Sequence, residues 1–196
     1  MSKQSSSSSD ADHIGLKHHF LVAMPGVLEG FFDDTVVYLC EHNDRGAMGL
    51  VVNKPSEVDA REVFNQLNIT PEPGYHPQPL FVGGPVEQER GFILHSMPKK
   101  DWSSTVHITG NVYLTASRDI LQAIAEGEGP RDALILLGYA GWGAGQLEEE
   151  IAQNAWLTVP ADDEILFRTP VAEKARSAAA LLGVDLRTLS SNAGHA

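Results

Sequence analysis

The chain has 196 residues with 14 basic and 26 acidic side chains, a formal net charge of -12, and 42% hydrophobic residues. This composition supports a folded core, while the acidic field repels phosphate backbones and no segment gathers more than the adjacent pair Lys99-Lys100, which argues against nucleic-acid binding. The single cysteine, Cys40, excludes an intrachain disulfide, and every apolar run is shorter than the roughly 20 residues that span a bilayer.

With no basic-then-apolar leader, the expectation is a cytoplasmic chain without membrane contact. Residues 1–15, which include Ser5–Ser9, read as a disordered tail, and 16–196 as one domain. His18–Ala23 reads as a strand closed by Met24-Pro25-Gly26, followed by a polar loop, Glu29–Asp34, that carries Phe31 and Phe32. Thr35–Cys40 and Ala47–Val52 flank His42-Asn43-Asp44-Arg45-Gly46, the pattern of a β-hairpin. Both runs lack alternation, so this hairpin is expected near the centre of a sheet covered on both faces.

Ser56-Glu57-Val58-Asp59 has the form of a capping box, and the helix it opens is expected to reach Leu67, with Val58, Val63, Phe64 and Leu67 in one stripe. Thr70–Pro79, with four prolines and a glycine, reads as an irregular connection. Pro79–Val82 and Gly91–Ser96 read as strands joined through Gly83-Gly84-Pro85 and a polar Glu87–Arg90 loop. Val106–Ile108 and Val112–Thr115 flank Gly110-Asn111 as a second hairpin, and Ser117 opens a helix to Ala125 with Gly127 past its end. Ala133–Tyr139 reads as a buried strand, Gly141–Gly145 as a tight turn, Gln146–Gln153 as a short helix and Trp156–Val159 as a last strand. Thr169-Pro170 is expected to start the final clear helix, ended by Gly183, with one more short turn in the tail. The class is α+β: a mixed sheet of about eight strands with flanking helices.

Cys40 and His42 stand two residues apart on a strand, hence on one face, which makes Cys40 a reactive-thiol candidate. The competing reading is a cysteine packed as a small hydrophobe. The histidines show no metal-ligand spacing; His42, His95 and His107 would have to meet in space, and no metal is expected. Gly141-Trp142-Gly143-Ala144-Gly145 follows a buried strand and has Asp162 and Asp163 beyond it, as in a dinucleotide fold. Its spacing is not G-x-G-x-x-G, Trp142 puts bulk where a pyrophosphate would lie, and Glu148–Glu150 oppose an anion, so no cofactor is expected. Because binding tends to collect on loops, His42, Asn43, Asp44, Asn53, Gly83, Gly84, Tyr139, Gly141 and Trp142 form the candidate surface for a protein or small-ligand partner.

Several blocks together resemble the bacterial AlgH/YqgE family: HHFLVAMP (His18–Pro25), YLCEHNDRGAMGLVVNKP (Tyr38–Pro55), GGPVEQERGFILH (Gly83–His95), TASRDIL (Thr115–Leu121), LGYAGWGAGQLEEEI (Leu137–Ile151), NAWLTVPADDEILF (Asn154–Phe167) and AGHA (Ala193–Ala196). One departure is Ala175, where relatives can carry a tryptophan. The resemblance implies a compact α/β-type single domain in the bacterial cytoplasm and carries a transcriptional-regulator label, with no established catalytic residues to transfer. Direct DNA binding fits neither the charge of -12 nor the lack of a helix-turn-helix pattern. A non-enzymatic regulatory role through a partner is favoured over an enzyme built on Cys40 and His42.

Overall fold

The computed structural model describes residues 15–192 apart from residue 77. The expected serine-rich tail lies outside the described residues except for Gly15, and so does the closing AGHA block. Ten strands form one curled, mostly antiparallel sheet: β1 (His19–Ala23), β2 (Val36–Asn43), β3 (Gly46–Val51), β4 (Pro55–Asp59), β5 (Pro79–Val82), β6 (Val86–His95), β7 (Thr105–Thr109), β8 (Val112–Thr115), β9 (Ala133–Gly143) and β10 (Trp156–Pro160). The main path runs β10-β1-β2-β3-β9-β6-β8-β7, with β4 joined to β5 and β5 lying parallel to β9. The α+β class with a mixed sheet holds, and β2 and β3 occupy its middle.

Alternate residues of the central strands enter different cores. In β2, Val36, Tyr38 and Cys40 point into a core shared with Phe20, Leu50, Phe92 and Leu136, while Val37 and Leu39 join Trp142, Leu147 and Trp156 on the other face. Helix α3 (Gln146–Ala152) covers that second face; α4 (Asp163–Phe167) and α5 (Lys174–Ala180) close the first through Ile165, Leu166 and Ala178. A strand buried on both sides has no polar face to show, which explains the unbroken apolar runs. A third core lies where α1 (Ala60–Gln66) and α2 (Arg118–Ala125) pack on β5, β6 and β9 through Phe64, Ile93, Ile120, Ile124 and Ile135. The last helix, α6 (Leu186–Asn192), follows Gly183.

Strand β9 organises the sheet because it changes partners along its length. Its first half pairs with β6 on one edge and β5 on the other; its second half, Ala140–Gly143, pairs with β3. The changeover falls at Gly138, whose φ of +72° is open to glycine and unfavourable for other residues. Gly83 and Gly84 are packed against this bend: Gly83 donates its N–H to the Leu137 carbonyl at 2.7 Å and accepts from the Val51 N–H at 2.8 Å.

Four local expectations need correction. Helix α1 starts at Ala60, because Asp59 itself is the N-cap, accepting the N–H groups of Arg61 and Glu62. Ser56 lies in strand β4 instead and accepts from the Val58 N–H at 3.1 Å. The polar Glu87–Arg90 segment is part of β6, in a stretch with irregular register against β9 whose side chains are exposed on both faces. Strand β9 runs to Gly143, which leaves Ala144-Gly145 as the turn and Gly145, with φ +76°, as the N-cap of α3. The acidic Asp162–Glu164 run opens the short helix α4, with Asp162 capping the Ile165 N–H. The helix expected from Thr169-Pro170 to Gly183 is shorter: Val171–Glu173 is 3-10 and α5 begins at Lys174.

Candidate functional site

A groove of about 680 Å³ lies between α1 and α2 over the outer face of β6. One wall is Val58, Val63, Gln66 and Leu67, the other is Ala116, Ser117, Arg118 and Leu121, and the sheet supplies Gly91, Ile93 and Leu137. Gln88 and Glu89 complete its rim. Arg118 ties the walls together, donating from its guanidinium to the Leu67 carbonyl at 2.7 Å. The volume lies within the range of small-molecule sites, and an apolar interior with a few polar groups at the edge is their usual composition. Gly91 is what keeps the groove deep, since a Cβ placed there would have nothing within 4 Å. The sequence shows the Val58, Val63 and Leu67 stripe but not that a second helix stands opposite it with a glycine between.

The residues singled out from the sequence are distributed differently. His42, Ala47 and Trp142 form one cross-strand row. The His42 ring is held at both nitrogens: Nδ1 accepts the Leu16 N–H at 2.9 Å, which leaves Nε2 to donate to Glu148 at 2.7 Å. Trp142 is buried, and its indole N–H donates to Glu150 Oε2 at 2.9 Å; Trp156 donates to the same oxygen at 2.8 Å. Asn53 fixes the turn before β2, accepting the Val36 N–H at 2.7 Å and donating to the Asp34 carbonyl at 2.9 Å. At the hairpin tip, the Asn43 side-chain oxygen Oδ1 accepts the Arg45 N–H at 2.9 Å, beside the exposed Asp44. Tyr139 packs edge-on to Phe92, and Gly83 and Gly84 are buried.

Asn43 and Trp142 share a trough of about 200 Å³ with Glu41, Arg45, Gly46, Ala47 and Met48. Gly141 pairs with Met48 beside that trough, whereas Gly83 and Gly84 lie further back along β9 and do not line it. The hairpin tip and the β9 glycines are therefore neighbours in the sheet, and the Gly83-Gly84 segment belongs to its interior.

A β-bulge separates Cys40 from His42. The β2–β3 register slips between Leu39 and Glu41, so Cys40 points into the core with Tyr38 while His42 turns to the α3 side. The two do not share a face. Burial pushes the Cys40 thiol up to about 12, so it is a neutral thiol at neutral pH. His95 stacks on Tyr113 and His107 packs against the same ring at a tilt, but His42 stands at the other end of β9 from them. His95 is fully buried, bonded to the Ser96 carbonyl at 2.7 Å and the Thr115 hydroxyl at 2.9 Å, and its burial lowers its pKa. Among the described residues no group of three or more His, Cys, Asp or Glu side chains is placed to hold a metal ion. Among the same residues no helix is long and apolar enough to cross a membrane.

Comparison with known proteins places this architecture. Residues 20–187 match the family model DUF179, described as AlgH-like. A UPF0301 protein of Thioalkalivibrio sulfidiphilus is 52% identical over 179 residues, covering 91% of this chain and 96% of the relative. A UPF0301 protein of Cronobacter sakazakii is 50% identical over 188 residues, covering 93% of this chain and all of the relative, 100%. The solution structure of the AlgH protein from Pseudomonas aeruginosa superposes with a TM-score of 0.76 at 48% identity, over 98% of this chain and 100% of that one. A crystal structure from Corynebacterium diphtheriae shares the fold at a TM-score of 0.67 and 19% identity, over 88% of this chain and 90% of that one. By sequence and by fold, the chain belongs to the AlgH-like family.

Proposed function

We propose that this protein is a non-enzymatic binding protein that takes the apolar part of a ligand or partner segment into the groove between α1 and α2, and regulates by occupancy. The observation that carries this reading is the groove itself: about 680 Å³, apolar inside, with Gln66, Gln88, Glu89, Ser117 and Arg118 as polar groups. The groups whose pKa values burial moves most, Tyr38, Cys40 and Lys174, do not line it, which favours recognition over acid–base chemistry. One cation and one anion, Arg118 and Glu89, suit an amphipathic ligand better than a polyanion, and the chain's charge of -12 points the same way.

Substituting Gly91→Leu tests this by filling the groove from its sheet side. The new side chain enters open space at an ordinary backbone φ, so the fold is retained while the ligand's place is taken. An apolar anionic probe, 1-anilinonaphthalene-8-sulfonate, followed by amide chemical shifts, should mark Leu67, Gly91, Ala116 and Leu121 in the wild type and not in the variant.

A further inference from the structure

A second cavity, about 320 Å³, lies between the start of β9, the β5 edge and the α4–α5 junction. Among its lining residues are Phe81, Arg131, Asp132, Phe167, Thr169 and Lys174. Lys174 is the unusual member. It is only 2% exposed, yet no carboxylate among the described residues pairs with it; its ammonium donates to the Leu166 carbonyl at the end of α4. A lysine ammonium has three N–H donors, so this bond leaves two unspent. A buried cation without a counter-charge is costly, and a bound anion would offset that cost.

The rest of the lining reinforces the sign. Arg131 is exposed at the cavity and makes no hydrogen bond or ion pair among the described residues. The one carboxylate in the lining, Asp132, is already held by Arg168, whose Nε and a terminal nitrogen donate to it at 3.3 and 3.2 Å. Arg168 also donates to Glu164 at 2.8 Å. The cavity therefore presents two cations, Lys174 and Arg131, against one neutralised carboxylate, on a chain whose net charge is -12. A local reversal of charge inside a concave site focuses the field on a small anion.

We propose that this cavity binds a small oxyanion, a carboxylate or a phosphate, through the Lys174 ammonium and the Arg131 guanidinium. The ammonium acts as a point charge at the buried end, and the guanidinium closes on the anion from the solvent side. Burial brings the Lys174 amine down to about 8, so it is still an ammonium at neutral pH. The site is separate from the α1–α2 groove, with which it shares no lining residue.

The test is a titration of the full chain with inorganic phosphate and, separately, with acetate at matched ionic strength, followed by amide chemical shifts. Saturable shifts confined to residues 131–133 and 166–174 are expected, and the anion that saturates at lower concentration identifies the class. Lys174→Met should weaken binding by at least about tenfold, and Arg131→Gln by at least about threefold. Arg131→Gln changes an exposed side chain, so it decides the matter if Lys174→Met fails to fold. Linear, non-saturating shifts with both anions, shifts mapping elsewhere, or wild-type affinity in Arg131→Gln would overturn the proposal.

Discussion

Gly84 lies so close to Tyr139 that a Cβ built on the glycine would stand 1.9 Å from the tyrosine carbonyl carbon and 2.0 Å from its oxygen. The neighbouring bend is equally tight, since a Cβ on Gly138 would come 2.5 Å from the Gly84 carbonyl oxygen. The obstacles are backbone atoms on both sides, which cannot swing away as a side-chain end can. The Gly83-Gly84 pair is thus the crossing point at which β9 exchanges β6 and β5 for β3.

Adding one methyl at this crossing should be far worse than adding a larger group in the groove. Gly84→Ala is expected to cost about 3 kcal/mol or more, or to prevent folding, because strands must separate to admit it. Gly91→Ala, in open space, should change stability by less than about 1 kcal/mol. Urea denaturation of the two variants beside the wild type measures the difference, and equal stabilities would refute the packing account.

Cys40 gives a kinetic prediction. A thiol in the core with its pKa at about 12 offers almost no thiolate at neutral pH and no path to a reagent. The folded protein should resist iodoacetamide through neutral pH and react fully once unfolded in guanidinium. Rapid labelling of the native state would show that β2 opens locally.

Lys174 makes stability depend on pH with a definite sign. Its amine falls from 10.5 to about 8 because burial penalises the charged form, so above pH 8 the unfolded chain holds more protons than the folded one. The destabilisation is fully present below about pH 8 and is relieved as pH rises from there toward 10.5. The wild type should gain about 2 kcal/mol relative to Lys174→Met between pH 7 and 9.5, measured by denaturation in a buffer free of oxyanions. A difference that stays flat, or moves the other way, would contradict the burial of a lone ammonium.

Much of the fold was legible in the sequence because local patterns report covered faces. The double-sided apolar runs of β2, β3 and β9 identify strands packed on both sides, and Ser117 and Gly127 bracket α2 as they stand. The errors arose where a local signal had two uses. Asp59 fits a capping box as its last member but serves as the cap itself, and Glu87–Arg90 is strand despite its polarity because this half of β6 is exposed on both faces. The β2 bulge lies beyond any period-of-two reading; it alone turned Cys40 and His42 to opposite faces.

The sites were far less legible. Polar and glycine residues near turns drew attention to His42, Asn53, Gly83 and Gly84, yet in the structure their hydrogen bonds and close contacts serve the sheet itself. The groove is made of ordinary residues, Val63, Leu67, Gly91 and Leu121, whose meeting depends on two helices distant in sequence. Lys174 looks like a surface lysine until the α4 turn that buries it is seen.

The most direct test of the binding role is the shift-mapped titration of 1-anilinonaphthalene-8-sulfonate into the wild type and Gly91→Leu. The account predicts saturable binding to the wild type, with shifts centred on Leu67, Gly91, Ala116 and Leu121, and its loss in a variant that stays folded and no less stable. Equal binding by Gly91→Leu, or shifts centred away from the α1–α2 groove, would contradict it.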